Sequence, residues 1–259
     1  MRNTTRFALL LVAFCEAFGQ SPPATPRAFE VASIRVREGA PQWKFAISGT
    51  RLNIESYTLF GLIKEAYKLE NYQIQTDGAS PLLLSTEILY DIVAKAEGDS
   101  TPTRDDFRQM LQTLLATRFQ LKIHRAPKEM PVYALVVGKN GTKFHASVPD
   151  ADPLIRVSFT GTNNEYALLT MPKTTMEGLA DMIGLVQGRP VLDKTGLTGT
   201  WDIKLFSTPE YKMNRGPEPN SGELSILTAV QQQLGLRLEP QKGSVEVLVV
   251  DHVEKPSEN

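Results

Sequence analysis

The chain has 259 residues, of which 41% are hydrophobic and 22% charged, and its formal net charge is −1. This composition is ordinary for a globular protein, and the length allows one or two domains. The near-neutral charge, with no long run of like charges, argues against nucleic acid or an anionic membrane as a general partner.

Residues 1–19 have the pattern of a secretory signal peptide. Arg2 and Arg6 precede a short apolar run, and Ala17-Phe18-Gly19 supplies small residues where a signal peptidase cuts. The run is too short for a permanent membrane helix, so we expect a periplasmic or extracellular protein with no integral membrane segment after cleavage. Two alternatives stay open: a buried N-terminal helix, and lipid attachment at Cys15.

Cys15 is the only cysteine. Phe14 precedes it where a lipoprotein signal needs a small residue, which argues against lipidation. Cleavage after Gly19 would leave no thiol for a disulfide, a metal site or a nucleophile.

A proline-rich spacer over residues 20–28 leads into a first folded region, predicted over 29–147. A strand is predicted from Phe29 to Val36, and a hairpin around Gly49-Thr50. Apolar residues at helical spacing predict one helix with Leu59, Leu62, Ile63, Ala66 and Tyr67 on its inner face. They predict a second helix, opened by Asp105 and Asp106, with Phe107, Met110, Leu111, Leu114 and Leu115 inside.

A linker is predicted over 148–155 and a second region over 156–255, with a mobile loop at 207–222. Its first helix begins with a capping box of Thr174 and Glu177. Its second helix ends at Gly235. The inner faces of the two helices are predicted as Met176, Leu179, Ala180, Ile183 and Gly184, and as Ile226, Leu227, Val230 and Leu234. Each region is expected to end in its own hairpin, FQLKIHR with VYALVVG and LRLEP with VEVLVVD, the latter turning at Gln241–Ser244.

Much of the chain occurs twice. YDIVAKA from Tyr90 matches WDIKLFS from Trp201, and VYALVV from Val132 matches VEVLVV from Val245, with the segments in the same order. A tandem duplication is the simplest interpretation. We therefore predict an α+β fold with two related halves, each a mostly antiparallel sheet with two amphipathic helices packed on one face. Asn140-Gly141 is predicted as the hairpin turn that closes the first half.

The histidines give no metal or catalytic signal. His124, His145 and His252 have no histidine or acid at zinc-ligand spacing, and the chain contains no HExxH. His124 and His252 are predicted to be surface or edge-strand residues. Asp251 and His252 are adjacent on a strand, so their side chains point to opposite faces and form no dyad.

The segment Asp193–Gly196, DKTG, is similar to short motifs of ion pumps and penicillin-recognising enzymes. The chain lacks the membrane bundle of the first and the S-x-x-K nucleophile of the second, so a glycine turn is predicted. Asp91 and Asp202 occupy equivalent positions and are predicted to be structural, and Trp43 and Trp201 to lie in the core or at its rim. No catalytic, cofactor-binding or metal-binding residue is predicted.

Several segments together resemble a known family: FEVASIRV, YTLFGLIKEAY, YDIVAKA, GRPVLDKTGLTGTWDIKL and QLGLRLEPQKGSVEVLVVDHVEKPSEN. The chain resembles the soil-associated bacterial family defined only as a domain of unknown function. The resemblance implies export and, in some relatives, attachment to a membrane metalloprotease sensor, but it brings no catalytic residue. The strand–helix–strand modules are also similar, in fold alone, to small domains of secretins and TonB-dependent receptors.

The function expected from the sequence is that of an exported, non-enzymatic binding or interaction module. Its partner would be a protein or small molecule of the cell envelope, bound in a cleft between the halves or at a sheet edge. Two alternatives remain: an envelope hydrolase whose site is assembled only by folding, and a sensor part that works with a membrane protease.

Overall fold

The computed structural model describes residues 27–38, 43–76, 81–161, 166–208 and 224–257. The predicted signal peptide and most of the predicted loop at 207–222 lie outside these residues.

The described chain alternates strands with short helices. The strands are Phe29–Glu38 (β1), Lys44–Ser48 (β2), Arg51–Tyr57 (β3), Ile74–Thr76 (β4), Ile88–Ala96 (β5), Lys122–Val137 (β6), His145–Ala146 (β7), Arg156–Thr160 (β8), Tyr166–Thr174 (β9), Val191–Asp193 (β10), Trp201–Ser207 (β11) and Leu236–His252 (β12). The α-helices are Leu59–Tyr67 (α1), Pro81–Leu84 (α2), Arg104–Arg118 (α3), Met176–Gln187 (α4) and Ile226–Ala229 (α5). A 3₁₀ turn covers Asn71–Gln73, and α5 continues as a π-helix over Val230–Leu234.

The helices bury the faces that their apolar spacing predicts, with one exception. In the second region Ala229 is buried in place of Leu227, which is 38% exposed. The π-helix after α5 widens the turn and so changes which residues face the core. Gly235, at φ 70°, ends this helix as predicted, because a left-handed residue lets the chain turn into β12.

Threonine side chains cap the starts of α1, α3 and α4. Thr103 and Asp106 form a reciprocal capping box at α3. At α4 the predicted cap is wrong by one residue: the Thr175 hydroxyl accepts from the Gly178 amide at 3.1 Å, whereas Thr174 ends β9. Strand β9 continues one residue further than its apolar pattern indicates, so the helix cap is Thr175 and not Thr174.

The strands form three four-stranded sheets. The two outer sheets are antiparallel, with the orders β1-β5-β3-β2 and β7-β11-β9-β8. The central sheet has the order β10-β6-β12-β4: β6 and β12 run antiparallel, while β10 runs parallel to β6 and β4 parallel to β12. The predicted α+β class with mostly antiparallel sheets is confirmed.

The two predicted terminal hairpins are wrong. β6 and β12 are unbroken strands that pair with each other, from Val137 opposite Leu236 to Ile123 opposite Val250. Gly243, predicted in a turn, lies opposite Met130 in the middle of this ladder. The sequence suggested pairing between neighbouring segments, but the long ribbon lets each strand bury its apolar ends in both cores.

The turn at Asn140-Gly141 is present but joins no hairpin. The Gly141 amide donates to the Gly138 carbonyl at 3.1 Å. The strands on either side, β6 and β7, belong to different sheets. The chain therefore uses this turn to leave the central sheet for the second outer sheet.

The β6–β12 ribbon connects two hydrophobic cores. Leu248 and Val250 pack into the first core, with the β1-β5-β3-β2 sheet, α1 and α3. Leu135 and Leu236 pack into the second, with the β7-β11-β9-β8 sheet, α4 and α5. The central sheet thus includes strands from both predicted regions. The sequence alone does not show whether the two regions share a sheet.

Candidate functional site

The histidines singled out in the sequence lie on exposed strand ends. His124 Nδ1 is 2.8 Å from the Asp251 carboxylate, and His252 Nε2 is 2.9 Å from that of Glu254. His145 lies on β7 opposite Asp202. All these side chains are solvent-exposed, and none of them lines a described cavity.

Asp91 and Asp202 lie in different outer sheets and have different surroundings. The Asp91 carboxylate accepts a 2.8 Å hydrogen bond from the Ser56 amide, in a bulge of β3 where Ser56 is buried with φ 60°. Asp202 is exposed on β11. The role of Asp91 is therefore to satisfy a buried backbone donor, which agrees with the structural interpretation of this residue.

The DKTG segment is a side-chain-stabilised turn. The Asp193 carboxylate accepts from the amide and the hydroxyl of Thr195, both at 2.8 Å. The Thr195 hydroxyl in turn accepts from the Leu197 amide at 3.1 Å. These bonds occupy the Asp193 carboxylate and the Thr195 hydroxyl, on which a catalytic interpretation of the segment would rely.

The two tryptophans differ in exposure. Trp43 is 67% exposed, so it belongs to neither core. Trp201 is half-buried, with its ring edge-on to Phe144 at a centroid distance of 5.3 Å. Its position at the rim of the second core agrees with the sequence interpretation.

The larger of the described cavities, about 650 Å³, lies beside β1 and the start of α3. Arg27 lies 2.6 Å from Asp106 and Glu30 lies 2.7 Å from Lys95, while Glu97 adds a third carboxylate to the lining. The charged lining is therefore more acidic than basic, which does not suit an anionic ligand.

A smaller cavity, of about 350 Å³, has a different character. It lies where β6 ends, the π-helix after α5 ends and β12 begins. Three of its lining residues are cations, two are amides and two are glycines: Lys139, Lys143, Arg237, Asn140, Gln231, Gly138 and Gly235. No carboxylate lines it, so we call it the cationic pocket.

Close glycine contacts hold the wall of the cationic pocket. The Gly138 amide donates to the Gly235 carbonyl at 2.8 Å. A Cβ on Gly138 would lie 2.7 Å from that same oxygen, and a Cβ on Gly235 would overlap the carbonyl oxygen of Gly141. Only residues without a side chain let these backbones approach so closely.

Lys143 joins the pocket to the end of the π-helix. Its amide donates to the Leu234 carbonyl at 3.0 Å, and its ammonium group donates to the Gln232 carbonyl at 2.8 Å. These bonds satisfy carbonyl groups that a helix C-terminus leaves unpaired, and they place a positive charge at the negative end of the helix dipole. An ammonium has three donors, so Lys143 retains hydrogen-bonding capacity toward the pocket.

Arg237 contributes an unsatisfied donor. Its Nη2 pairs with the Glu239 carboxylate, while its Nε is buried without a hydrogen-bond partner. A buried unpaired donor costs about 1–3 kcal/mol, and more when the group is charged.

A third cavity, of about 230 Å³, adjoins the cationic pocket through Gln231 and Arg237, which line both. Its other walls are the outer face of α5 and the first part of β12, with the lining residues Leu227, Thr228, Leu238, Glu239 and Pro240. We call this third cavity the side groove. The cationic pocket and the side groove therefore lie side by side, the first lined by cations and the second partly by apolar side chains.

Sequence reasoning missed this site. Arg237 lies far along the chain from Lys139 and Lys143, and no motif links them. The available signals were the Asn140-Gly141 turn and the Gly235 helix end, both of which were predicted as local features. Their meeting depends on the unpredicted β6–β12 pairing.

The described residues lack two further kinds of feature. No cluster of three or more histidine, cysteine, aspartate or glutamate side chains there is arranged to hold a metal ion. Within the same residues, no helix has the length and apolar character needed to cross a membrane.

Comparison with known proteins gives one match. A family model covering residues 61–253 matches the chain, and the family is described as "Protein of unknown function (DUF3738)". No curated protein and no solved structure matches the chain.

Proposed function

The chain belongs to the DUF3738 family of proteins of unknown function, and we propose that it is an exported binding module whose ligand carries an anionic group. The observation that carries this proposal is the cationic pocket. Lys139, Lys143 and Arg237 line it without a carboxylate among the lining residues.

The electrostatics favour an anion of modest affinity. An anion about 4 Å from one of these cations gains about 4 kcal/mol at an effective dielectric constant near 20, before desolvation is subtracted. Arg237 can offer its guanidinium group to an oxyanion, and the Asn140 and Gln231 amides can add neutral donors. Salt screens such contacts, so binding should weaken as ionic strength rises.

We also propose that the protein acts outside the cytoplasm and arose by tandem duplication. Export is supported by the signal-like residues 1–19. Duplication into two related halves is supported by the outer sheets, in which β5, β3 and β2 have the same order as β11, β9 and β8. The cationic pocket would then combine the turn that ends the first half with helix and strand residues of the second.

The hydrolase alternative receives no support from the described geometry. Asp91 and Asp202 lie in separate sheets, and His124 and His252 are bound to nearby carboxylates on the surface. Binding without chemistry is therefore the function that we prefer. Association with a membrane protease would be compatible with it.

The test is a titration with inorganic phosphate, followed by amide chemical shifts. We expect the shifts to change at residues 138–143 and 231–237, with chloride at equal ionic strength as the control. Arg237→Gln should weaken the response about tenfold, as expected for loss of a charge-assisted contact. The matched control is Lys204→Ala, because Lys204 is an exposed cation on β11 away from the pocket. Equal responses to phosphate and chloride would refute the proposal.

A further inference from the structure

The side groove beside the cationic pocket suggests what kind of anion the protein binds, provided that the proposed anion site is correct. One wall is the outer face of α5, with Leu227 and Thr228, and the other is the start of β12, with Leu238 and Pro240. A groove between a helix and a strand edge has the shape of an extended peptide. A peptide can add to β12 in this groove only if the edge of the strand is open.

The hydrogen-bond pattern shows which backbone groups face that edge. On β6, the amide of Tyr133 bonds to Pro190, and the carbonyl of Leu135 accepts from Lys194, so these two residues direct their groups toward β10. In an antiparallel pair, the residues opposite them must also point away from the shared ladder. Those residues are Pro240 and Leu238.

None of the described strands pairs with β12 on this side at the groove. Its other partner, β4, pairs only from Leu248 to Val250. The amide and carbonyl of Leu238 and the carbonyl of Pro240 therefore face the side groove within the described part of the chain. A row of such groups is a template for strand addition.

Prolines interrupt the outward edges of both strands of the ribbon. Pro127 and Pro131 of β6 lie opposite Glu246 and Lys242. Both prolines are at positions that make no ladder bond to β12, so their backbone groups point outward from β6, away from β12. Proline at such a position has no amide to offer a new strand, which protects an edge. Pro240 does the same on β12, so the part of the edge beside the side groove is centred on Leu238, and the outward groups of Lys242, Ser244 and Glu246 lie beyond the proline.

The position of the charges fixes the polarity of the peptide. The cationic pocket lies at the Gly235 end of the groove, where β12 begins. A chain that places its terminal carboxylate there and runs back toward Pro240 is antiparallel to β12. We propose that the site binds the free C-terminus of an extended peptide, adding it as an antiparallel strand beside Leu238 with its carboxylate at Arg237, Lys139 and Lys143.

Recognition would then combine two known modes. Main-chain bonds to Leu238 would hold the peptide extended, and the cations would hold its carboxylate. Leu227 and Leu238 line the groove and favour apolar side chains near the peptide terminus. With few main-chain bonds available, we expect an affinity in the micromolar to millimolar range, about −8 to −4 kcal/mol.

The experiment measures fluorescence anisotropy of a labelled pentapeptide, Gly-Ser-Val-Thr-Leu, with the protein purified after expression of the full chain. The free acid should bind at least about tenfold more tightly than the C-terminal amide, because the amide lacks the charge. Glu239→Gln, which releases Arg237 from its ion pair, should raise affinity for the free acid by about threefold.

A proline at Leu238 tests the strand addition itself. Leu238→Pro removes the outward amide without touching the ladder to β6, as Pro240 already does two residues away. Because the substitution also removes packing against the second core, Leu238→Ala is its matched control. We expect the alanine variant to retain most of the affinity and the proline variant to lose at least about tenfold.

The outcomes separate this inference from the proposed function. If phosphate binds but the acid and amide peptides bind equally or not at all, the anion site stands and the peptide inference fails. Equal affinities of the Leu238→Pro and Leu238→Ala variants would also overturn it. If neither phosphate nor the free-acid peptide binds, both proposals fail.

Discussion

The Gly138 amide donates a 2.8 Å hydrogen bond to the Gly235 carbonyl, where β6 ends and β12 begins. This contact holds the turn over 138–141 against the end of the π-helix, and so shapes the cationic pocket. The conformation and surroundings of Gly235 make it the most sensitive position of this junction.

Gly235→Ala should lower the free energy of unfolding by about 3 kcal/mol, because it combines a positive φ with overlap of the Gly141 carbonyl. Gly188→Ala is the matched control: Gly188 also ends a helix at positive φ, but nothing lies within reach of its Cβ. It should cost only about 1 kcal/mol. Urea denaturation measures the free energy of unfolding of both variants. Equal losses would show that the close approach of Gly235 to the Gly141 carbonyl is unimportant for stability.

The two lysines of the pocket should behave differently. Lys143→Met should lower the free energy of unfolding by about 1 kcal/mol, since it removes the bond to Gln232 and a charge at the helix end. Lys139 is exposed, so Lys139→Met should leave stability within about 0.5 kcal/mol while still weakening phosphate binding. Thermal unfolding and phosphate titration of both variants test the contrast, and a stability loss at Lys139 as large as that at Lys143 would contradict it.

The two aspartates in equivalent sequence positions should also differ. Asp91→Ala should destabilise the fold by about 1–3 kcal/mol, because the buried Ser56 amide loses its acceptor. Asp91→Asn keeps an acceptor and should cost less. Asp202→Ala, at an exposed position, should cost less than about 0.5 kcal/mol. Similar losses for Asp91→Ala and Asp202→Ala in urea denaturation would mean that the bulge bond is unimportant.

Alkaline pH should destabilise the protein partly through Tyr72. Burial, with smaller contributions from the negative charges of Glu70 and Asp181, raises the pKa of Tyr72 from 10.0 to about 12. The folded chain therefore holds this proton more tightly than the unfolded chain, so its stabilising effect is complete below pH 10 and is lost as the pH rises toward 12.

Tyr72→Phe tests this pH dependence. Its unfolding free energy, measured in urea at pH 7, 10.5 and 11.5, should fall less at high pH than that of the natural protein. Some decline should persist, because burial also raises the pKa of Tyr57, Tyr67 and Tyr90. Parallel pH profiles for the two proteins would rule out a contribution from Tyr72.

The helices were the most predictable part of the fold. A buried face at α3, from Phe107 to Leu115, follows directly from apolar residues at helical spacing. The Thr103–Asp106 box, by contrast, went unpredicted, and the α4 cap was misplaced by one residue. Caps depend on where the preceding strand ends, which periodicity does not show.

The pairing of β6 with β12 was not predictable from local patterns. Two apolar stretches around Pro127 and Pro131 resemble a hairpin in sequence, because proline normally interrupts a strand. Here the prolines occupy outward positions of one long strand, where no ladder bond is lost. The cationic pocket depends on this long-range pairing, so it could not be found before the fold was known.

Locating a heavy oxyanion in a crystal tests the central claim most directly. Crystals grown with selenate in place of other oxyanions would reveal its position by anomalous scattering. We predict a selenate ion in the cationic pocket, within hydrogen-bonding distance of Arg237 and at least one of Lys139 and Lys143, and its loss in the Arg237→Gln variant. Selenate at other surface positions with the pocket left empty would contradict the assignment of this pocket as the binding site.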